Sequence, residues 1–366
     1  MSATIRFNRQ QLADAMKQGQ LVSDGPDGAV STGVRMSIAK GAASLVWTDM
    51  SLWLTREVAA SCDAITACSV PADLLARSAS GMIGEELTIR TGDGKAQVSC
   101  GRSRLSLPLN VADFFPMPPK IAKGEQAVVK ARDLFEALDS VNYFDPDDIG
   151  SSVGAVNFRF RLSSGDVCLA SYSGVRLAAD VITNTGADLP EFNLPLKAAD
   201  VLTRLCKRAP DADCSISATD KLAQFEVSDW VLTAALHHQG FIDYAKLIDE
   251  QSEHPVMFDP RELANACSRL SVASDKYSKV VRLDLTTDKI TMALTNPKIG
   301  EASEEVPAAY DGPPQTLGYN VAFLREALRH VPGDDAEMHI GREVKRARIT
   351  PRDRMGATHI IGPMAI

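Results

Sequence analysis

The sequence predicts an α+β chain of three tandem domains, each built from two βαβββ units, and three observations predict it. Strand-to-helix entries recur along the 366 residues at near-constant intervals, alternating strands fill the gaps between them, and joints rich in Pro and charge separate the repeats. A chain of this length exceeds what one hydrophobic core usually organises, so several domains are the expectation before any motif is considered.

The first set of entries is "TIRFNRQQLADAMKQ", "AVVKARDLFEALDSV" and "PVMFDPRELANACSRL", in which Leu12, Leu134 and Leu263 fall at the same point, 122 and 129 residues apart. The second set is "CSVPADLLARSAS", "FNLPLKAADVLTRLCK" and "LGYNVAFLREALRHV", aligned on Pro71, Pro195 and Asn320 at intervals of 124 and 125. Helices are therefore predicted over 8–18, 71–80, 131–140, 195–208, 259–269 and 320–330. Period-two alternation marks strands in "ASLVWTDMSLWLTREVA", "GDVCLASYSGVRLAADVI" and "KITMALTNPKIGEASEEV". Hairpins close each domain, as in "ELTIRTGDGKAQVSCGRSRLSLPL" and "DCSISATDKLAQFEVSDWVLTAAL". Joints in "PMPPKIAKGEQ" and "IDEQSEHP" divide the chain into domains 1–122, 123–251 and 252–366.

A tandem array that bends by a fixed angle per repeat can close into a ring and hide its sheet edges by pairing them. Charge bears on what such a ring would surround. The formal net charge is −8, which by itself disfavours a polyanionic partner. The six predicted helices, however, carry 12 Lys and Arg against nine Asp and Glu, leaving −11 on the remainder. Basic helices lining an acidic exterior suit loose enclosure of a polyanion. Arg204, Lys207 and Arg208 form the densest basic patch, at a helix end where cations also favour the dipole.

No catalytic, cofactor-binding or metal-binding residue is predicted. GxxxxGK[ST], HExxH and GxSxG are absent, and "TGDGKAQ" has the wrong spacing for a phosphate cradle. His237 and His238 are adjacent, so on a strand they point to opposite faces and cannot share a metal. Cys206 and Cys214 have no nearby His and are expected to be core thiols. Asp145, Asp147 and Asp148 in "YFDPDDIG" lack the Gly and Glu that a calcium loop requires. Seven cysteines without a CxxC pair point to a reducing compartment. With no apolar run behind basic residues at the start and no uncharged apolar stretch of membrane length, a soluble, cytoplasmic protein is expected.

Along its whole length the chain resembles the bacterial DNA sliding clamps, the beta subunits of DNA polymerase III. The resemblance is carried by "GRSRLSLPLNVADFFPM", "SGVRLA", "GFIDY", "LGYNVAFL" and "GPMAI", in this order and spacing within three tandem units. It implies three DNA-clamp domains per chain, and a non-catalytic homodimer closed head to tail as a ring, helices inside and sheets outside, around duplex DNA without regard to sequence. It also implies opening by a separate ATP-driven loader, and tethering of a polymerase for processive synthesis.

The resemblance further implies site residues. Arg9, Lys17, Arg77, Lys197, Arg204, Lys207, Arg208, Arg269, Arg325 and Arg329 would face DNA. Arg102, Arg104, Leu105 and Leu107 would meet Val272, Glu301, Glu304 and Glu305 of a second copy. Polymerase, loader and other clients would insert a short apolar peptide among Gly174, Arg176, Leu177, Ile242, Lys246, Leu247, Asn320, Phe323, Val344, Ile360, Pro363, Met364 and Ile366. Departures from the family pattern fall in this pocket. Tyr172-Ser173-Gly174-Val175 stands where the family has Thr-Asp-Gly-His, and Ile242 where it has Pro, so an altered client preference is expected. The family's basic DNA contact after the first helix is not expected here, because that loop reads "SDGPDG" with Asp24 and Asp27. Two other readings are a clamp-like paralogue serving repair or mobile-element replication, and an unrelated enzyme using His237, His238 or the cysteines.

Overall fold

The computed structural model describes residues 3–23, 32–39, 41–121, 124–144, 154–161, 164–183, 186, 189–248 and 252–366. Asp24 and Asp27, and the acidic group Asp145, Asp147 and Asp148, lie outside the described residues.

Within the described residues the chain is six successive repeats of strand, helix and three strands. The first is β1 (Ala3–Asn8), α1 (Arg9–Gly19), β2 (Gly33–Ala39), β3 (Ala42–Thr48) and β4 (Leu52–Cys62). The second is β5 (Thr66–Pro71), α2 (Ala72–Gly81), β6 (Glu86–Gly92), β7 (Lys95–Cys100) and β8 (Ser103–Pro108). The third is β9 (Ala127–Lys130), α3 (Ala131–Val141), β10 (Ala155–Arg161), β11 (Asp166–Tyr172) and β12 (Arg176–Ile182). The fourth is β13 (Phe192–Pro195), α4 (Leu196–Arg208), β14 (Asp213–Ala218), β15 (Leu222–Val227) and β16 (Trp230–Ala235). A short helix, α5 (Ala245–Ile248), leads to the fifth: β17 (Val256–Phe258), α6 (Pro260–Leu270), β18 (Val280–Leu285), β19 (Lys289–Asn296) and β20 (Gly300–Ala309). The sixth is β21 (Gln315–Asn320), α7 (Val321–Arg329), β22 (Ala336–Ile340), β23 (Ala347–Pro351) and β24 (Thr358–Ile361).

Local chemistry explains why each strand turns into a helix where it does. The Asn8 side chain accepts from Gln11 N, Asp259 from Arg261 N and Glu262 N, and Asn320 from Ala322 N and Phe323 N, each satisfying first-turn amides. Pro71 and Pro195 end β5 and β13, where their fixed φ suits helix entry. The aligned Leu12, Leu134 and Leu263 are all fully buried, in the first, third and fifth repeats, so the repeated leucine is the helix's anchor in the core.

The chain divides into two compact bodies. One comprises Met1–Arg132 and Asp200–Leu236; its strands pair in the order β8-β7-β6-β1-β4-β16-β15-β14-β9, with β2, β3 and β5 branching from β4. The other comprises Asp133–Ala199 and His237–Ile366, with strand order β13-β10-β11-β12-β24-β23-β22-β17-β20-β19-β18-β21. All the pairings are antiparallel. The middle third of the sequence is thus shared: β9 and β14 to β16 extend the first sheet, while β10 to β13 extend the second. Repeats follow the sequence, whereas compactness follows the sheets, which run on across the junctions between repeats.

Candidate functional site

In the second body, β12 pairs with β24, setting Leu177 opposite Ile360 and Arg176 opposite Ile361. Residues two apart share a face, so Ala170, Tyr172, Leu177, Ala179 and Ile360 lie on one side of the sheet. There they form an apolar cluster with Tyr244, bordered by the half-buried Phe241, Ile242, Leu247 and Ile248. Leu177 and Ile360 are its buried floor, and α5 carries Leu247 and Ile248 across it. The side chain of Lys246, also on α5, lies outside the described residues.

The turn before β12 is held tightly. Gly174 has φ +75, a conformation that costs glycine nothing, and the Tyr172 hydroxyl donates to its carbonyl at 2.8 Å. Arg176 is 2% exposed. Its Nε donates to Ser173 Oγ at 3.0 Å and its Nη1 to Glu326 Oε2 at 2.9 Å. The guanidinium lies 3.8 Å from the ring centre of Phe323 and 4.6 Å from that of Phe144. Arg176 therefore links the turn to α7, where Asn320 caps the first turn and places Phe323.

Residues 362–366 are fastened on both sides. Gly362 N donates to Val175 O at 2.7 Å, and Met364 N to Gly318 O at 2.8 Å. Pro363 is exposed and Met364 half-buried. Ile366, 69% exposed, lies with Ala365 against Val280, Arg282, Ala293 and Thr295 of β18 and β19, beside a cavity of about 310 Å³. It is not part of the Leu177–Ile360 cluster. Val344, 44% exposed, sits in the loop between β22 and β23, which Tyr319 ties down by donating from its hydroxyl to Lys345 O. The expected pocket residues thus comprise a cluster around Leu177 and Ile360, the Arg176–Phe323–Asn320 group, and two outlying positions, Val344 and Ile366. The departures Tyr172 and Ile242 both pack on the cluster itself.

The basic residues expected to face DNA all lie on helices, in unequal states. Lys17, Arg204 and Lys207 are exposed. Arg9 is spent on structure, donating to Gly84 O and Ala79 O. Arg77 pairs with Asp73 and Arg208 with Asp14. Lys197 and Arg325 are half-buried, and Arg329 donates to Ser268 Oγ at 3.3 Å. Arg269 forms a two-point ion pair with Glu304, at 2.7 and 2.9 Å. That pair couples two expected sites and neutralises both; it holds the Glu304 carboxyl below its usual range and the Arg269 guanidinium above its own.

On the expected contact surfaces, Arg104 and Leu105 are exposed on β8, which ends its sheet, and Arg102 is exposed in the turn just before it. Leu107 corrects the expectation. It is 2% exposed, opposite Ala96 of β7, so its side chain fills the core. Val272 is 81% exposed, Glu301 is exposed, and Glu305 pairs with Lys289 at 2.7 Å. Residues 300–307 of β20 run beside β19, and on the strand's other side, among the described residues, only Ala308 and Ala309 are paired, to β17.

His237 and His238 are both exposed just beyond β16. Among the described residues no group of three or more His, Cys, Asp or Glu side chains is placed to hold a metal ion. Cys206 and Cys214 are fully buried, and the Cys214 thiol is pushed well up by its Cys206 neighbour and by burial. No helix among the described residues is long and apolar enough to cross a membrane.

Residues 245–365 match the family model of the DNA polymerase III beta subunit, C-terminal domain. The beta sliding clamp of Synechococcus elongatus is 24% identical over 331 residues, 88% of each chain. That of Proteus mirabilis is 22% identical over 370 residues, covering 98% of this chain and 99% of its own. Among solved structures, the Pseudomonas aeruginosa DnaN sliding clamp superimposes over all of both chains with a TM-score of 0.93 at 20% identity. The Thermotoga maritima DNA polymerase III beta subunit does so with 0.90 at 18%. The domain match, relatives of near-equal length and the fold of six βαβββ repeats agree: the last third of the chain matches the beta-subunit family of DNA polymerase III, and the chain as a whole is similar in sequence and in fold to the bacterial DNA sliding clamps.

Proposed function

We propose that the chain is a non-catalytic, cytoplasmic processivity factor that works as a head-to-tail homodimeric ring around duplex DNA. Each chain would supply three clamp domains, 1–122, 123–251 and 252–366, and a separate loader would open the ring. Clients, the replicative polymerase first among them, would dock a short apolar peptide on the cluster of Leu177, Ile360, Tyr172, Ile242 and Leu247. The observation that carries this reading is the sixfold βαβββ repeat, with helices more basic than the rest of the chain. Weak, sequence-independent contacts from exposed cations such as Lys17, Arg204 and Lys207 would permit sliding, while enclosure keeps the tethered polymerase at high effective concentration.

After loading, the protein should stay on circular DNA and slip from linear DNA with free ends. Equal retention on both would overturn enclosure. The altered pocket residues Tyr172, Val175 and Ile242 favour a second reading, a paralogue dedicated to repair or mobile-element replication. Primer extension with the host's main polymerase and loader separates the two: a longer product supports the replicative role, and unchanged product length sinks it.

A further inference from the structure

Four charged side chains form a run of ion pairs through the first body, and one of them is an expected DNA contact. Asp14 of α1 accepts on a single oxygen, Oδ2, from Arg56 Nη1 of β4 at 3.2 Å and from Arg208 Nη2 of α4 at 2.5 Å. Arg56 in turn donates from Nε to Asp229 Oδ2 at 2.8 Å. Asp229 lies in the turn between β15 and β16, so the pairs link α4, α1, β4 and that turn.

The members are not equally fixed. The Arg56 side chain is 16% exposed and lies over the buried Trp230, its guanidinium carbon 4.7 Å from the ring centre. Trp47 stands 6.2 Å from Trp230 and packs so closely on α1 that a Cβ at Gly19 would run into its ring. Asp14 and Arg56 therefore rest on one aromatic footing, and Arg56 holds the carboxylate whether or not Arg208 is there. Arg208 is the outer member, with 40% of its side chain exposed. An isolated exposed pair contributes little, but a carboxylate already fixed by a network offers a cation a defined seat.

This seat lies among the expected DNA contacts. Residues three and four apart share a helix face, so Asp14 goes with the exposed Lys17 on α1, and Arg208 with the exposed Arg204 on α4. The Asp14–Arg208 pair joins the two faces. An acid thus stands inside a basic strip and occupies one of its guanidinium groups.

We propose that Asp14 keeps Arg208 off the phosphates, so that α1 and α4 hold a duplex by one contact fewer than their cations would allow. The inference rests on the DNA-encircling function above, and it assigns to Asp14 a part in setting how loosely the chain holds DNA. Looseness favours sliding, because every phosphate contact must break before the ring can move on.

The test is binding of a short, labelled linear duplex by the intact protein over a range of salt concentrations. Each phosphate neutralised adds about −0.9 to the slope of log K against log salt. Asp14→Asn should therefore steepen the slope by about 0.9 for each Arg208 released. The same substitution made in an Arg208→Ala chain should not steepen the slope of that chain. Asp14→Ser, a smaller neutral side chain, should repeat the result, and melting temperatures show which variants are folded. An unchanged slope in the folded Asp14 variants would make the pair a structural tie only and overturn the proposal. Equal steepening with and without Arg208 would assign the effect to the lost negative charge and overturn it as well. If neither the native chain nor any variant bound the duplex in a salt-dependent way, the DNA-encircling function itself would fall, and the inference with it.

Discussion

The resemblance names Arg176 as an expected pocket residue, but the contacts that hold it cannot be read from the sequence. Its partners Glu326 and Phe323 are about 150 positions away, and only packing brings them together. With the guanidinium buried and Glu326 a third exposed, Arg176→Ala should cost about 3 kcal/mol in urea unfolding, the low end for breaking a buried pair. Arg176→Met, which refills the volume, should cost less; equal losses would mean that the charge is irrelevant. His359 gives a pH-dependent test. It is fully buried between strands, its Nδ1 3.0 Å from the Tyr143 hydroxyl, and burial drives its pKa from the ordinary 6.5 down to about 3. Between those values the unfolded chain binds the proton and the folded one does not. Stability therefore falls as pH drops, by up to about 1.4 kcal/mol per pH unit from this group. His339 shifts in the same direction. His359→Gln should flatten the stability profile between about pH 6 and 4 by one proton's slope, and an unchanged slope would refute the assignment.

Helix positions were the most legible feature, because their signals are local. Each of the six predicted helices starts and ends within a residue of its observed bounds, and the aligned Pro71, Pro195 and Asn320 all close a strand. The short α5 was missed, since four residues carry no periodicity and its place depends on the apolar cluster beneath it. Strand order was also out of reach. β4 pairs β16 and β12 pairs β24 across more than 170 residues, and nothing in either partner's alternation names the other. Leu107 shows the same gap: motif position suggested an outward side chain, but the register against β7 turns it inward. Among the elements around the pocket, β21 makes a specific prediction. A Cβ at Gly318 would stand 2.6 Å from Met364 O and 2.7 Å from Ile366 Cγ1, so Gly318→Ala must push residues 364–366 off the strand. The fold, anchored elsewhere, should lose no more than about 1–2 kcal/mol, while hydrogen exchange at Met364 N should rise steeply. Unchanged protection there would show that the segment is not held by β21. Asp259→Ala at the cap of α6 is the control, costing about 1 kcal/mol without affecting that amide.

For the molecule as a whole, the open question is which edges meet in the proposed dimer. Among the described residues β8 offers a free edge, with Arg104 exposed on it and Arg102 in the turn before it, and residues 300–307 of β20 offer another with Glu301 and Glu305. Glu304 and Glu305 contribute less than Glu301, because Arg269 and Lys289 of the same chain already pair with them. Opposite charges across two edge strands select register and discourage like edges from pairing. In a head-to-tail dimer every contact contains one edge of each kind, which makes the arrangement testable within a single chain. Arg102→Glu with Arg104→Glu places acid against acid at both contacts and should bring the mass in sedimentation down to that of one chain. Glu301→Arg with Glu305→Arg should do the same by setting base against base. All four substitutions together restore opposite charges at both contacts, so the mass should return to that of two chains and retention on circular DNA should return with it. If the fourfold variant stays monomeric while melting like the native chain, β8 and β20 do not face each other. If neither double variant dissociates, charge does not hold the contact, and apolar groups such as Leu105 and Val272 must carry it instead.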